Sequence, residues 1–202
     1  MASRTAPSPV ALAVLCLLEV GPLHPYGLQR LIKLWGKDQV INVGQRATLY
    51  KTIERLQKAG LIAVGHTERD HRFPERTVYE LTDAGRSRAR EWLTAMLSVP
   101  RNEFPEFPAA LSFAMLLAPA DLLALLERRA APLREQLARF EHELGGALDH
   151  LPRLTVLETE YQRAVVAAEL GWLDAVIADL RGGTLTWSRE ELAEVARSSQ
   201  SD

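Results

Sequence analysis

The chain has 202 residues, 47% of them apolar and 25% charged, and a formal net charge of −2. These values are typical of a globular protein of one large or two small domains. The lone cysteine, Cys16, excludes an internal disulfide, and the apolar run 10–20 around it is too short to span a membrane and too interrupted for a secretion signal. We therefore expect a soluble, cytoplasmic protein in which Cys16 is packed in the core.

The charge is unevenly distributed along the chain. Residues 1–100 hold 14 Lys/Arg and 9 Asp/Glu, a net +5, whereas residues 101–202 hold 10 and 17, a net −7. The first half is therefore suited to binding a polyanion, and the second half would be repelled by one.

The chain opens with two predicted helices. Ser8 followed by Pro9 is a helix start signal, and the helix over 9–20 is apolar nearly all round. A helix of this kind is buried on more than one side, and we expect a second subunit to cover it. Pro25 opens the next helix, over 26–35, whose inward side chains are Leu28, Leu31 and Ile32.

A third helix is predicted over 45–59, with Asn42 or Gly44 as its cap. Its apolar stripe is Leu49, Ile53 and Leu56, and Gly60 suits the left-handed turn that ends a helix. At about 100° per residue, the opposite side is polar and mostly basic. It carries Ala47, Thr48, Lys51, Arg55 and Lys58.

After Gly60 the pattern changes to the alternation of a β-hairpin. Two short strands are predicted over 61–64 and 77–81, and the polar loop between them carries Arg69, Arg72 and Arg76. A helix, a glycine, a strand, a basic loop and a strand are the outline of a winged helix-turn-helix, whose helix enters the DNA major groove. The alternative is a small α+β unit with a solvated helix face. Glu54 and Glu75 do not suit DNA binding, and we expect them to pair with Arg55 and Arg76.

The second half is predicted to be helical and to begin after a linker. Thr82 caps a helix to about residue 97, in which Leu93, Met96 and Leu97 make apolar contacts beside Trp92. The expected divisions are a DNA-binding domain over 1–98, a proline-containing linker over 99–108, a helical dimerisation and effector domain over 109–183, and a tail over 184–202 in which Ser188 and Glu191 can cap one short helix.

Two long helices make up this helical domain. The first, over 121–148, carries an apolar seam that seeks a partner helix, so we predict that it forms the dimer interface. The seam is Leu126, Leu133, Leu137, Phe140 and Leu144. Pro132 is expected to kink or split this helix. Thr155 and Glu158 form a capping box for the second helix. Its predicted apolar face is Leu157, Tyr161, Val165, Ala168, Trp172 and Val176, and Gly182-Gly183 ends it.

Three aromatic residues, Trp92, Tyr161 and Trp172, are candidates for an effector pocket between the two halves, although aromatic faces at helical spacing also suit a core or a dimer interface. The segment from His142 begins like a zinc-protease helix, but the second histidine is missing. We therefore predict no enzyme activity, metal or cofactor.

The first hundred residues resemble the phenolic acid decarboxylase regulator (PadR) family of bacterial transcription factors. The resemblance is carried by Leu23-His24-Pro25-Tyr26-Gly27-Leu28, Thr48-Leu49-Tyr50, Arg55-Leu56-Gln57-Lys58-Ala59-Gly60-Leu61-Ile62 and Val78-Tyr79-Glu80-Leu81-Thr82-Asp83-Ala84-Gly85-Arg86, in this order. The second half resembles the helical C-terminal region of the larger members. The fold this implies is mainly α with a small β-hairpin: an N-terminal winged helix-turn-helix domain and a C-terminal α-helical dimerisation domain.

The resemblance implies a homodimeric repressor that binds a palindromic operator in double-stranded DNA and is released by a small-molecule effector or another signal. In it, the Tyr50 hydroxyl holds a phosphate, whereas packing against the wing is the alternative. The candidate DNA-binding residues are Arg46, Thr48, Tyr50, Lys51, Arg55, Arg69, Arg72 and Arg76. The competing function is a winged-helix protein-interaction module without sequence-specific DNA binding.

Overall fold

The structure is a computed structural model that describes residues 6–68 and 76–188. The chain forms two compact units, Met1–Asn102 and Glu103–Asp202. No helix in the described ranges combines the length and the apolarity needed to cross a membrane.

The first unit contains four helices and a two-stranded antiparallel sheet. The elements are α1 (Pro9–Leu18), α2 (Pro25–Leu34), a 3-10 turn (Lys37–Gln39), α3 (Arg46–Lys58), β1 (Ile62–Glu68), β2 (Arg76–Leu81) and α4 (Asp83–Ser98). The predicted helices are confirmed to within two residues at each end, which is the usual uncertainty of helix limits. β1 is longer than predicted and reaches Glu68.

Helix α1 is buried by its own chain rather than by a second subunit. Seven of its ten residues are buried, and α1 packs against α3, α4 and β2. The apolar character of α1 is therefore accounted for within one chain, and a second subunit on its exposed side stays a prediction. Cys16 was also expected in the core but is exposed, because it lies on the side of α1 that these elements leave open. Partial enclosure of the sulfur, and then Glu19, raise the pKa of the Cys16 thiol.

Helix α3 ends in a Schellman motif, as the glycine predicted. Gly60 adopts φ 70°, its N–H donates to Gln57 O at 2.9 Å, and the Leu61 N–H donates to Leu56 O at 3.0 Å. This is the pair of hydrogen bonds that defines the motif, and Leu56 and Leu61 are buried in the same core. The turn delivers the chain into β1, so the direction of the hairpin follows from the end of α3.

The start of α4 is fastened to the same turn. Thr82 Oγ1 accepts the Gly85 N–H at 3.0 Å and donates to the carbonyls of Gly60 and Leu61, 2.8 and 3.0 Å away. A Cβ on Gly85 would lie 1.9 Å from Leu61 O, so only glycine allows this close approach. The predicted cap at Thr82 is confirmed.

The inward face of α4 differs from the predicted one. Ala89 and Trp92 are buried, whereas Leu93 and Leu97 are exposed. Gly85, Ala89 and Trp92 follow one another at intervals of four and three residues, and this is the face that reaches the first unit's core.

The second unit is helical. Its elements are α5 (Glu106–Leu111), a 3-10 turn (Ala114–Leu116), α6 (Pro119–Leu148), a second 3-10 turn (Arg153–Val156) and α7 (Leu157–Gly182). The last three residues of the predicted linker over 99–108 lie in α5. Pro132 lies inside α6 but does not split it.

The apolar seam of α6 finds its partner within the chain. Leu126 and Phe140 are buried in a core completed by Leu173 and Ile177 of α7, and Leu133 and Leu137 pack against it. Leu144 is also buried. Arg181–Glu127, Arg134–Asp174 and Arg163–Glu141 ion pairs join the two helices and fix them as an antiparallel hairpin. The seam was predicted as a dimer interface, but α7 already covers it.

Helix α7 has two apolar stripes, and the stripe predicted as its apolar face is not the buried one. The buried stripe is Val166, Leu170, Leu173, Ile177 and Leu180. On the predicted stripe, Leu157, Tyr161, Val165 and Trp172 are exposed. The predicted capping box is also wrong, because Thr155 Oγ1 donates to Pro152 O at 2.7 Å and α7 begins without a side-chain cap. Gly183, at φ 74°, ends the helix as predicted.

Replacing Gly85 by alanine is expected to destabilise the first unit by about 1–3 kcal/mol, because backbone must move to admit the methyl group. Gly27→Ala in α2 is the control, since its Cβ would meet only side-chain atoms at 3.4 Å or more. Urea unfolding and amide hydrogen exchange of α3 and α4 measure the difference. Equal stability of the two variants would contradict the close approach.

Candidate nucleic-acid interface

Helix α3 is held to the first unit by one face only. Leu49, Ile53 and Leu56 are each at most 2% exposed, and they pack in one core with α1, α2 and Trp92. The predicted core stripe is therefore confirmed. Because this stripe is narrow, the opposite side of α3 faces outward along its whole length.

The outward side of α3 is small and basic. Ala47, Thr48, Lys51 and Arg55 are exposed. In the part of the chain that the structure describes, neither Lys51 nor Arg55 has a carboxylate partner. Two free cations and a short hydroxyl side chain on one exposed helix face can contact phosphates and base edges.

Lys58, further along the same helix, differs from Lys51. Its Nζ lies 2.6 Å from Glu54 Oε1, and this hydrogen bond, followed by the charge of Lys58, lowers the pKa of Glu54. Glu54 was expected to pair with Arg55, which is wrong, because adjacent helical residues do not face each other whereas residues four apart do. Glu54 thus offsets the charge of Lys58 and leaves those of Lys51 and Arg55 available.

The beginning of α3 is capped by neither of the predicted residues. The capping position is Gln45, without a side-chain hydrogen bond, and Asn42 Oδ1 instead accepts the Gly44 N–H at 3.3 Å. The first N–H groups of α3 are therefore left without a side-chain acceptor among the described residues. N–H groups at a helix start favour an anion.

The remaining predicted contacts are located only in part. Tyr50 is 54% exposed, which leaves its ring accessible on the flank of α3. Arg69 and Arg72 lie outside the described residues, as does Glu75. The backbone of Arg76 pairs with Glu68 at the start of β2, but the side chains of Arg46 and Arg76 are not described.

Helix α2 carries exposed basic residues that were not among the predicted DNA contacts. Tyr26, Arg30 and Lys33 are exposed and line a groove that also includes Gly44, just before α3. Gln29 Nε2 donates to Val43 O at 3.3 Å and ties α2 to this segment. The spacing of Arg30 and Lys33 opposite buried Leu28 and Ile32 was a usable signal, because it puts both charges on the outer face of α2.

The three aromatic residues proposed for an effector pocket lie in different surroundings within their own units. Trp92 is buried in the core of the first unit, whereas Tyr161 and Trp172 are 71% and 44% exposed on α7 of the second. Trp172 meets the edge of Phe107, with ring centroids 6.0 Å apart. For Trp92, the alternative of core packing is therefore the one observed.

One protein-family model matches most of the first unit. Residues 14–91 match the model of the family described as "Transcriptional regulator PadR-like family". The match contains α2, α3, β1 and β2, half of α1 and just over half of α4. No curated protein matches the chain in sequence.

Solved structures resemble the chain over most of its length. PadR of Bacillus subtilis in complex with operator DNA is 18% identical, with a TM-score of 0.67, and the same protein in complex with p-coumaric acid is 17% identical, with a TM-score of 0.70. A PadR-like transcriptional regulator of Bacillus cereus is 15% identical, with a TM-score of 0.61. In each case the match covers 86% of this chain and 99% of the other. At such identities the likeness establishes the fold, a winged helix domain with a helical C-terminal region.

Proposed function

We propose that this protein, whose residues 14–91 belong to the PadR-like family of transcriptional regulators, is a homodimeric repressor that binds a palindromic DNA operator. The observation that carries this proposal is the outward face of α3. It is exposed along its length, basic and uncompensated at Lys51 and Arg55, while the opposite stripe of the same helix is fully buried. A helix fixed in this way enters a major groove as a rigid body.

Residues on α3 and on α2 have different roles in this proposal. Thr48 and Lys51, in the first turns of α3, contact base edges, since a lysine suits guanine and a threonine methyl suits thymine. Arg30 and Lys33 contact phosphates, because the helix before the recognition helix crosses the DNA backbone. Arg46, Tyr50 and Arg55 complete the contacts of α3, and Arg69, Arg72 and Arg76 extend them from the wing.

The dimer is proposed to form through the outer stripe of α7. Leu157, Tyr161, Val165 and Trp172 expose a continuous apolar strip, and strips of this kind on soluble proteins mark interaction surfaces. This stripe replaces the α6 seam, which α7 covers. The net charge of −7 in residues 101–202 keeps this half from binding DNA itself.

Control by a small molecule is part of the proposal. The structurally similar PadR of Bacillus subtilis forms complexes with both operator DNA and p-coumaric acid. We extend the combination of operator and small effector to this chain, but not the identity of the effector. A regulator of this kind acts where the genome lies, and we assign it to the cytoplasm.

Lys51→Gln is expected to cost about 1–3 kcal/mol at the preferred DNA site and to relax specificity there. Lys58→Gln is the matched control, since Glu54 already offsets that charge, and it should cost less. Fluorescence anisotropy with a fragment selected from genomic DNA and with random duplex gives both affinities. If Lys51→Gln binds the selected fragment as the wild type does, α3 does not read it.

Arg30→Gln is expected to weaken binding to selected and random duplex alike, because a phosphate contact carries no sequence information. Losing one such contact lowers the slope of log affinity against log salt by about one. Arg139→Gln, an exposed arginine of α6, should leave the slope unchanged. A wild-type protein with no steep salt dependence would instead support a protein-interaction module.

Val165→Glu is expected to produce a folded monomer, because a charge in the middle of the outer stripe cannot be buried in a dimer. DNA affinity should fall with it, since each half-site is then bound separately. Ala178→Glu is the control, an exposed position on α7 about 100° from the stripe. Light scattering gives the mass, and a wild-type monomer at micromolar concentration would contradict the proposal.

A further inference from the structure

The second unit contains an open apolar groove. It lies between α5, the following 3-10 turn and the first half of α6, and encloses about 510 Å³. Its lining is almost entirely apolar, with Phe107, Ala110, Phe113, Leu125 and Leu133 among its walls. Cavities of about 300–1,000 Å³ with apolar walls are the usual size for small-molecule sites.

The only charged residues that line the groove, within the described part of the chain, are Arg128 and Arg129. Arg129 is already engaged, since its Cζ lies 3.6 Å from the centre of the Phe107 ring and its Nε donates to Glu169 Oε1 at 2.6 Å. Arg128 is exposed and has no carboxylate partner among the described residues. One guanidinium at the mouth of an apolar groove is therefore left for an anion from solution.

We propose that this groove binds an amphipathic organic acid, with its apolar body against Phe107, Ala110 and Leu125 and its carboxylate on Arg128. This combination favours such an acid over two other classes of ligand. A neutral apolar compound would form no hydrogen bond with the guanidinium, and a small inorganic anion would leave the apolar walls exposed to water. An acidic ligand also accounts for the charges that line the groove. Among the described residues the lining contains two arginines and no carboxylate, although residues 101–202 carry a net charge of −7.

The groove is connected to the outer stripe of α7 by direct contacts. Phe107 forms one wall of the groove and meets the edge of Trp172, which belongs to that stripe. Arg129 stacks on the ring of Phe107 and donates a hydrogen bond to Glu169, which is also on α7. A ligand that moves Phe107 therefore alters the surface through which the dimer is proposed to form. This regulatory step, unlike binding itself, rests on the proposed function.

The test uses the full-length protein and a matched pair of probes, 2-naphthoate and 2-naphthalenemethanol, titrated by calorimetry. Wild-type protein should bind the acid about fivefold or more tighter than the alcohol, because only the acid forms a charge-assisted hydrogen bond with Arg128. Arg128→Gln should remove this preference, while Arg139→Gln, on the same helix but outside the groove, should keep it. Ala110→Trp should fill the groove and abolish binding of both probes, with circular dichroism confirming its fold.

Equal affinities for acid and alcohol, or unchanged preference in Arg128→Gln, would overturn the assignment of the anion site. Normal binding by Ala110→Trp would place the probes elsewhere and overturn the groove itself. If the wild type binds neither probe and Ala110→Trp changes the mass in solution, a second copy covers the groove and the proposal fails. Because these titrations contain no DNA, their failure is separate from a failure of DNA binding, which the Lys51 and Arg30 variants measure.

Discussion

The first unit depends on one junction, the turn after α3. Gly60 in the left-handed conformation ends α3, Leu61 returns to the core, and Thr82 and Gly85 bring the start of α4 onto the carbonyls of Gly60 and Leu61. The end of α3, the start of β1 and the start of α4 therefore meet at one turn, and a shift of one of them would shift the other two. The orientation of α3 relative to the wing is a consequence of this junction, since neither the helix nor the hairpin could fix it alone.

This arrangement lets α3 present a face that contributes nothing to packing. The buried stripe holds the helix in place. Thr48, Lys51 and Arg55 are exposed, do not pack in the core and are accessible to a ligand. Helix α2 follows the same logic with Leu28 and Ile32 inside and Arg30 and Lys33 outside. In both helices, the residues that hold the fold and those proposed to contact DNA are separated by about half a turn.

The sequence predicted the elements whose signals are local. The stripe of α3, the caps at Ser8 and Thr82, and the glycines that end α3 and α7 each depend on a few neighbouring residues. It failed where the identity of the partner matters. Apolar periodicity indicated that the seam of α6 is covered but did not indicate which element covers it. The sequence likewise did not distinguish the two stripes of α7, of which the structure buries the one that contains Leu173. Arg30 and Lys33 were missed because basic residues on a helix are ordinarily solvated.

The difference between the predicted and the observed packing has a functional consequence. The exposed apolar stripe lies on the outer side of α7 and not on α6. That side contains Trp172, whose ring touches Phe107, and Phe107 in turn forms a wall of the groove beside Arg128 and Arg129. A ligand in the groove would shift the proposed dimer equilibrium only by its differential affinity for the two arrangements of the contact between Phe107 and Trp172. A coupling of about 1–3 kcal/mol is usual for such effects and requires one aromatic edge to repack rather than a helix to unfold. Because coupling is reciprocal, DNA that holds the proposed dimer would weaken binding of the ligand by the same factor as the ligand weakens binding of DNA.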